Sequence, residues 1–198
     1  LGYDVLKEIN PRLIYAASTG FGQTGPYSQR PAYDAVVQAM GGIMSITGQE
    51  GGMPTRVGTS IGDITAGLFS AIGILAALHE RETSGLGQLV DVAMLDCQVA
   101  ILENAISRYE FTGEVPTPFG NRHPSIVPFE TFETKTSPIM VAAGNDRLWS
   151  TLCELLGLDI ACEPCFATNP MRYENYESLK PILAEKFMNK TAEEWQDI

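Results

Sequence analysis

The feature that most constrains the fold is a helix–strand–helix succession in the middle of the chain. A long helical pattern over residues 63–83 is followed by an apolar run at 88–95 and a second helical pattern at 97–112. A strand set between helices does not pair with its neighbour through a tight hairpin. Its connections are crossovers, and crossovers build parallel sheets. The run Gln88-Leu-Val-Asp-Val-Ala-Met-Leu95 is interrupted only by Asp91, as expected of a strand covered on both faces. A second apolar run, Leu13-Ile-Tyr-Ala-Ala-Ser18, has the length of a buried strand. With 198 residues, 44% hydrophobic and 19% charged, the chain has enough apolar material for a substantial core.

The helical pattern at 63–83 opens with Ser60-Ile-Gly-Asp-Ile-Thr-Ala-Gly67. Asp63 falls at the N-cap or first turn, where unpaired N–H groups and the positive end of the helix dipole favour an anion. Gly62 and Gly67 flank it without side chains, which permits close approach of a backbone or a ligand. A carboxylate so placed is either a cap, the commoner role, or a nucleophile toward an activated acyl group. Ala66, Phe69, Ile72, Gly73, Ala76 and Ala77 are the buried candidates of this helix. Two further carboxylates share its logic. Asp34 falls in the first turn of a pattern at 33–41 whose apolar positions are Ala35, Val36, Ala39 and Met40, and Asp96 caps the helix at 97–112.

Other motifs narrow the chemistry. Gly20-Phe-Gly-Gln-Thr-Gly25 has G-x-G-x-x-G spacing after a strand, but Pro26 and Pro31 continue it as loop. A dinucleotide fingerprint needs a helix there, so the string reads as a glycine-rich turn rather than a nicotinamide site. Four cysteines include Cys162-Glu-Pro-Cys165, with no second pair to complete a zinc site, and all four read as reduced cytosolic thiols. The two histidines, His79 and His123, are too few for a histidine-rich metal site. A net charge of −11 argues against nucleic acid or an anionic membrane surface as partner. Glycine, serine and charge break the apolar runs, so no membrane span is expected. The chain starts at Leu1 and stops inside an apparent helix, which reads as a segment truncated at both ends.

Composition shifts at residues 114–124, rich in Pro, Gly and Asn. Beyond it, residues 126–134 and 138–143 read as two strands joined by a turn. Gly144-Asn-Asp146 caps a helix at 147–156, and residues 176–188 and 191 onward read as two more helices around an irregular Cys-Pro stretch. The expected organisation is α/β: residues 1–95 in a large domain, 96–118 a linker helix and loop, and 119–198 a smaller α/β domain.

The ordered series Asn10-Pro-Arg-Leu-Ile-Tyr15, Gly20-Phe-Gly22…Gly25-Pro26, Tyr33-Asp34…Gln38-Ala-Met40, Gly62-Asp63…Gly67, Ala76-Ala-Leu78 and Gly85-x-Gly87-Gln88-x-Val90-Asp-Val92 resembles the family III CoA-transferases, also called the CaiB/BaiF family. The resemblance implies a Rossmann-like parallel-sheet large domain that binds coenzyme A, a smaller α/β domain, and two chains interlocked as a homodimer in the cytoplasm. It implies acyl-CoA and a carboxylic acid as substrates, with no tightly bound cofactor and no metal. The family's nucleophilic aspartate corresponds to Asp63, not Asp96. Tyr33 and Asp34 match a Tyr-Glu pair beside that nucleophile, the acid one methylene shorter here. Gly62 is the glycine of the family's Gly-Asp, and Met94 matches a residue lining the CoA site. Gly120 and His123 fall where the family has a mobile loop over the site. The same fold hosts α-methylacyl-CoA racemases, whose base is a histidine at the position of Tyr33. Tyrosine is a poor proton shuttle near neutral pH, which favours the transferase. A third reading is a catalytically silent CoA-binding or assembly segment.

Overall fold

The structure, a computed structural model, describes residues 2–198 and divides into two compact units, Leu1–Pro118 and Phe119–Ile198. In the first, helix α1 (Tyr3–Ile9) leads to strand β1 (Tyr15–Thr19). Helix α2 (Asp34–Met40) and a short 3₁₀ turn (Ile43–Ile46) precede helix α3 (Ile61–Ser84), the longest element. Strand β2 (Leu89–Ala93) then pairs parallel to β1, in register from Tyr15 opposite Leu89 to Thr19 opposite Ala93. Helices α4 (Met94–Ala100) and α5 (Asn104–Thr112) complete the unit.

Helix α3 packs on both strands and on α2 and α4, and its close approach to the sheet rests on small residues. A Cβ at Gly73 would lie 2.6 Å from Val90 Cγ1, so only glycine lets the helix lie that near β2. Ala66 and Ala77 are buried there with it. Gly85 ends the helix in a left-handed conformation (φ 75°), its N–H bonded to the Arg81 carbonyl at 2.9 Å. Phe69, Ile72 and Ala76, expected inside, point outward instead, and nothing approaches Gly67 within 4 Å. Ile64, Leu68, Ile72 and Leu75 form an exposed apolar stripe. At 24 residues α3 is the one helix among the described residues with the length and composition of a bilayer span, a property the interrupted apolar runs did not suggest. It packs against β1 and β2 along one side and leaves the other exposed.

Two local expectations fail for tertiary reasons. Residues 97–112 do not form one helix. The break at 101–103 has Glu103 at φ 52°, where Leu102 seats against Gly42 and Gln98 against Gly41. Because α4 starts at Met94, Asp96 lies inside its first turn rather than capping it. In α2 the expected apolar face is the outer one. Val36 and Met40 are 42% and 47% exposed, while Asp34, Val37 and Gln38 are buried.

The second unit pairs strands β3 (Phe129–Phe132) and β4 (Ile139–Ala142) antiparallel against helices α6 (Asp146–Leu156), α7 (Asn169–Glu174), α8 (Tyr176–Phe187) and α9 (Ala192–Gln196). Trp149, Leu179, Leu183 and Phe187 are at its centre. Helix α7, too short to show a period, went unread in the sequence, yet it carries the fully buried Arg172. That guanidinium donates to the carbonyls of Val127 (2.7 Å) and Phe166 (2.9 Å) and to Asp146 (2.8 Å), and lies 5.1 Å from the Trp149 ring centroid. Removing it strands two carbonyls in an apolar interior. Arg172→Ala is expected to destabilise this unit by about 3 kcal/mol in urea unfolding. A change below about 0.5 kcal/mol, the range of surface substitutions, would show the network to be dispensable.

Candidate active site

The start of α3 is built from three segments. Its N-cap, Ser60, makes no side-chain capping bond. The Gly62 N–H donates instead to Asp34 Oδ1 at 2.8 Å, so the first residue of α2 caps α3 across a sequence separation of 28. Asp34 is buried at 8% exposure, and its second oxygen accepts from Gln38 Nε2 at 2.8 Å. Arg56 approaches the same oxygen at 3.8 Å from a half-exposed position, a weak screened contact.

Gly62 is required by sterics as well as by its N–H. A Cβ there would lie 2.8 Å from Val37 Cγ2 and 3.1 Å from Asp34 Oδ1, with the Met94 methyl at 3.5 Å. Asp63 follows immediately. It is exposed in the first turn of α3. Tyr33, the N-cap residue of α2, is 82% exposed. The start of α3 thus carries an exposed carboxylate directly after a glycine whose N–H is held by a buried carboxylate, the residue that follows Tyr33.

Of the residues singled out in the sequence, Tyr33, Asp34, Gly62, Asp63 and Met94 all lie in this unit, and Asp34, Gly62 and Met94 meet. Met94 is a core residue, 8% exposed and packed with Val37, Ala66, Val92 and Cys97. Asp96, the rival carboxylate, lies elsewhere. With Asp91 it lines two cavities of about 230 and 380 Å³, the second beside the glycine-rich turn. Asp91 Oδ2 accepts the Gln23 N–H at 2.8 Å and so organises that turn. Burial, and then the Asp96 charge, pushes the Cys97 thiol up.

Gly120 and His123 belong to the second unit. Gly120 is exposed at φ 64°. His123 Nδ1 accepts the backbone N–H groups of Ser125 (3.2 Å) and Ile126 (3.1 Å), and its ring stacks on Phe129 at 5.2 Å. With Nδ1 accepting, a neutral ring carries its proton on Nε2. A buried carboxylate of this unit, Glu130, accepts from the Tyr176 hydroxyl at 2.9 Å and pairs with Lys180 at 3.4 Å. Burial pushes that tyrosine hydroxyl above its ordinary range. Among the described residues no three or more His, Cys, Asp or Glu side chains group as a metal site.

The sequence reading quoted Gln38 in the motif series but gave it no role. It is fully buried, and its only sequence signal is the i, i+4 spacing from Asp34 on a shared helix. Placing a methyl group at Gly62 drives it into Val37 and the Asp34 carboxylate. Gly62→Ala is expected to cost about 1–3 kcal/mol of stability, read as a lowered urea midpoint. Wild-type stability in that variant would mean that α2 and α3 do not meet as described.

The sequence pattern of CoA-transferase family III matches residues 1–198. The chain is 44% identical over 198 residues to an acetyl-CoA:oxalate CoA-transferase of Acetobacter aceti, covering 99% of this chain and 51% of that one. It is 39% identical over 196 residues to the human succinyl-CoA:glutarate CoA-transferase, covering 98% and 45%. A crystal structure of a CaiB/BaiF family protein from Brucella suis superposes with a TM-score of 0.83 at 39% identity, over 100% of this chain and 52% of that one. Rv3272 from Mycobacterium tuberculosis superposes at 0.86 with 32% identity, over 100% and 51%. The chain spans about half the length of the relatives it matches, and over that span it belongs to the family III CoA-transferases.

Proposed function

We propose that the full-length protein transfers coenzyme A from an acyl-CoA to an acceptor carboxylic acid, with Asp63 as the nucleophile. One observation carries the assignment of the residue. Asp63 is an exposed carboxylate in the first turn of α3, directly after a glycine whose N–H is held by a buried carboxylate. The family and the names of the relatives support the reaction class, and those names favour short dicarboxylic acids as acceptors.

The chemistry runs through four acyl exchanges. An Asp63 carboxylate oxygen attacks the thioester carbon, the C–S bond breaks, and CoA leaves as thiolate from a mixed anhydride. The thiolate attacks the Asp63 carbonyl carbon and expels the donor carboxylate, leaving an aspartyl-CoA thioester. The acceptor carboxylate attacks that same carbon, releasing thiolate and forming a second anhydride. Thiolate attack on the acceptor's acyl carbon then gives the new acyl-CoA and restores the Asp63 carboxylate. Helix-start N–H groups and the dipole of α3 favour the negative charge that develops at each step. Tyr33 and Asp34 are the supporting groups, and Met94 backs the turn through its contact with Gly62. Gly120 and His123 are proposed as part of a loop covering the site.

The same reading includes an interlocked homodimer in the cytoplasm, with acyl-CoA as substrate and no tightly bound cofactor. Four free cysteines support a reducing compartment, and the apolar stripe on α3 supports further packing partners. The isolated 198-residue segment is expected to be inactive. No geometric feature favours a racemase, since an exposed tyrosine stands where its histidine base is needed.

In the full-length protein, Asp63→Ala is expected to lower turnover of succinyl-CoA with glutarate, or acetyl-CoA with oxalate, by at least about 10⁴-fold, since a covalent nucleophile has no substitute. Hydroxylamine added during turnover is expected to leave a hydroxamate on Asp63 by mass spectrometry. Retained turnover in Asp63→Ala, or loss in Asp96→Ala instead, would move the nucleophile.

A further inference from the structure

We infer that Gln38 is a positioning residue for the reaction, acting through Asp34 to hold the first turn of α3. The inference rests on the assignment of Asp63 as nucleophile. The Gln38 amide is fully buried and satisfied on both ends. Its Oε1 accepts the Val57 N–H at 2.8 Å. Its Nε2 donates to Asp34 Oδ2 at 2.8 Å, with the Val57 and Thr59 carbonyls at 3.5 and 3.4 Å. Asp34 Oδ1 takes the Gly62 N–H. One side chain thus ties residues 57–59, the approach to α3, to the carboxylate that caps α3 one residue before Asp63.

The arrangement is a strap rather than a set of separate bonds. The second oxygen of Asp34 is held by Gln38 at 2.8 Å, with Arg56 farther off at 3.8 Å. Residues 49–56 are exposed and Ser60 supplies no side-chain cap, so the Asp34–Gln38 pair acts beside the Ile61 N–H bond to the Thr59 carbonyl and the Val37 and Met94 contacts at Gly62. A tilt of the first turn moves the Asp63 carboxylate by an ångström or so. Displacements of that size cost about 10²-fold in rate when a nucleophile must meet a carbon at near-attack distance.

The polarity of the strap makes it testable by reversal. Asp34→Asn keeps an oxygen for the Gly62 N–H but turns an NH₂ group toward the Gln38 NH₂. Gln38→Glu keeps an oxygen for the Val57 N–H but turns a carboxylate toward Asp34. Together the two changes restore one donor–acceptor pair with its direction reversed, the introduced amide at position 34 donating to the introduced carboxylate at position 38. The total charge is conserved, and the two end bonds, to Gly62 and Val57, are kept.

The experiment uses full-length protein with succinyl-CoA and glutarate, and acetyl-CoA and oxalate as the second pair. It reads kcat and KM, the rate of hydroxamate formation at Asp63, and amide exchange at Gly62. Each single substitution is expected to speed Gly62 exchange by about 3- to 30-fold, the loss of a cap. Each is also expected to lower kcat by about 10- to 100-fold with KM within about twofold, the pattern of misalignment. The double substitution is expected to recover exchange and kcat well above the worse single variant, by non-additivity of directly bonded residues, but short of wild type, because the introduced carboxylate faces the Val57 and Thr59 carbonyls that Gln38 Nε2 serves. Wild-type exchange and kcat in the single variants would overturn the inference. So would a double variant as impaired as the worse single, because Asp34 would then act through its own charge or chemistry. If the wild-type protein forms no adduct at Asp63 during turnover, the nucleophile assignment fails. Gly62 exchange still decides whether the strap exists.

Discussion

A single buried hydrogen bond, from the Gly62 N–H to Asp34, is the constraint around which the first unit is assembled. A carboxylate at 8% exposure is unfavourable unless its oxygens are occupied. Here both are occupied, one by the start of α3 and the other by Gln38. The bond therefore does three things at once. It satisfies an orphan donor of the longest helix, it fixes α2 against α3, and it sets the residue before Asp63. A cap of this kind contributes about 1–2 kcal/mol to stability, a modest amount beside its geometric effect.

Small residues extend the same logic down the helix. Gly62 admits Val37, and Gly73 admits Val90. Between them Ala66 is buried, with Ala77 further along, so α3 lies against the parallel pair through short side chains. Its long aliphatic side chains, Ile64, Leu68, Ile72 and Leu75, are exposed on the opposite face. The helix is consequently apolar on both sides, which is why its composition matches a bilayer span while only one side packs on the sheet.

The second unit is held by a different device. Arg172 fills its centre with a charge whose nitrogens are bonded to two carbonyls and to Asp146. Such a buried cation contributes directionality, since each bond demands a particular placement of α7, while the surrounding aromatic and aliphatic side chains supply the apolar burial.

The types of the longer elements and the parallel character of the first sheet were legible in the sequence, because hydrophobic period and connection length are local properties, whereas the six residues of α7 were too few to show a period. So was the place of Asp63 at a helix start beside a glycine, visible in eight residues. The buried face of α2 was not. Its period pointed to Ala35, Val36, Ala39 and Met40, but the interior took Asp34, Val37 and Gln38, because a hydrogen-bond network selected the face. Nor was the break before α5, where Leu102 seating on Gly42 outweighs a continuous helical pattern. Sequence periodicity determined which segments are helices and strands, since each residue carries that preference with it. Only the tertiary structure decided which polar groups those helices bury and which N–H a carboxylate caps, since donors and acceptors 28 residues apart acquire partners only when the chain brings them together.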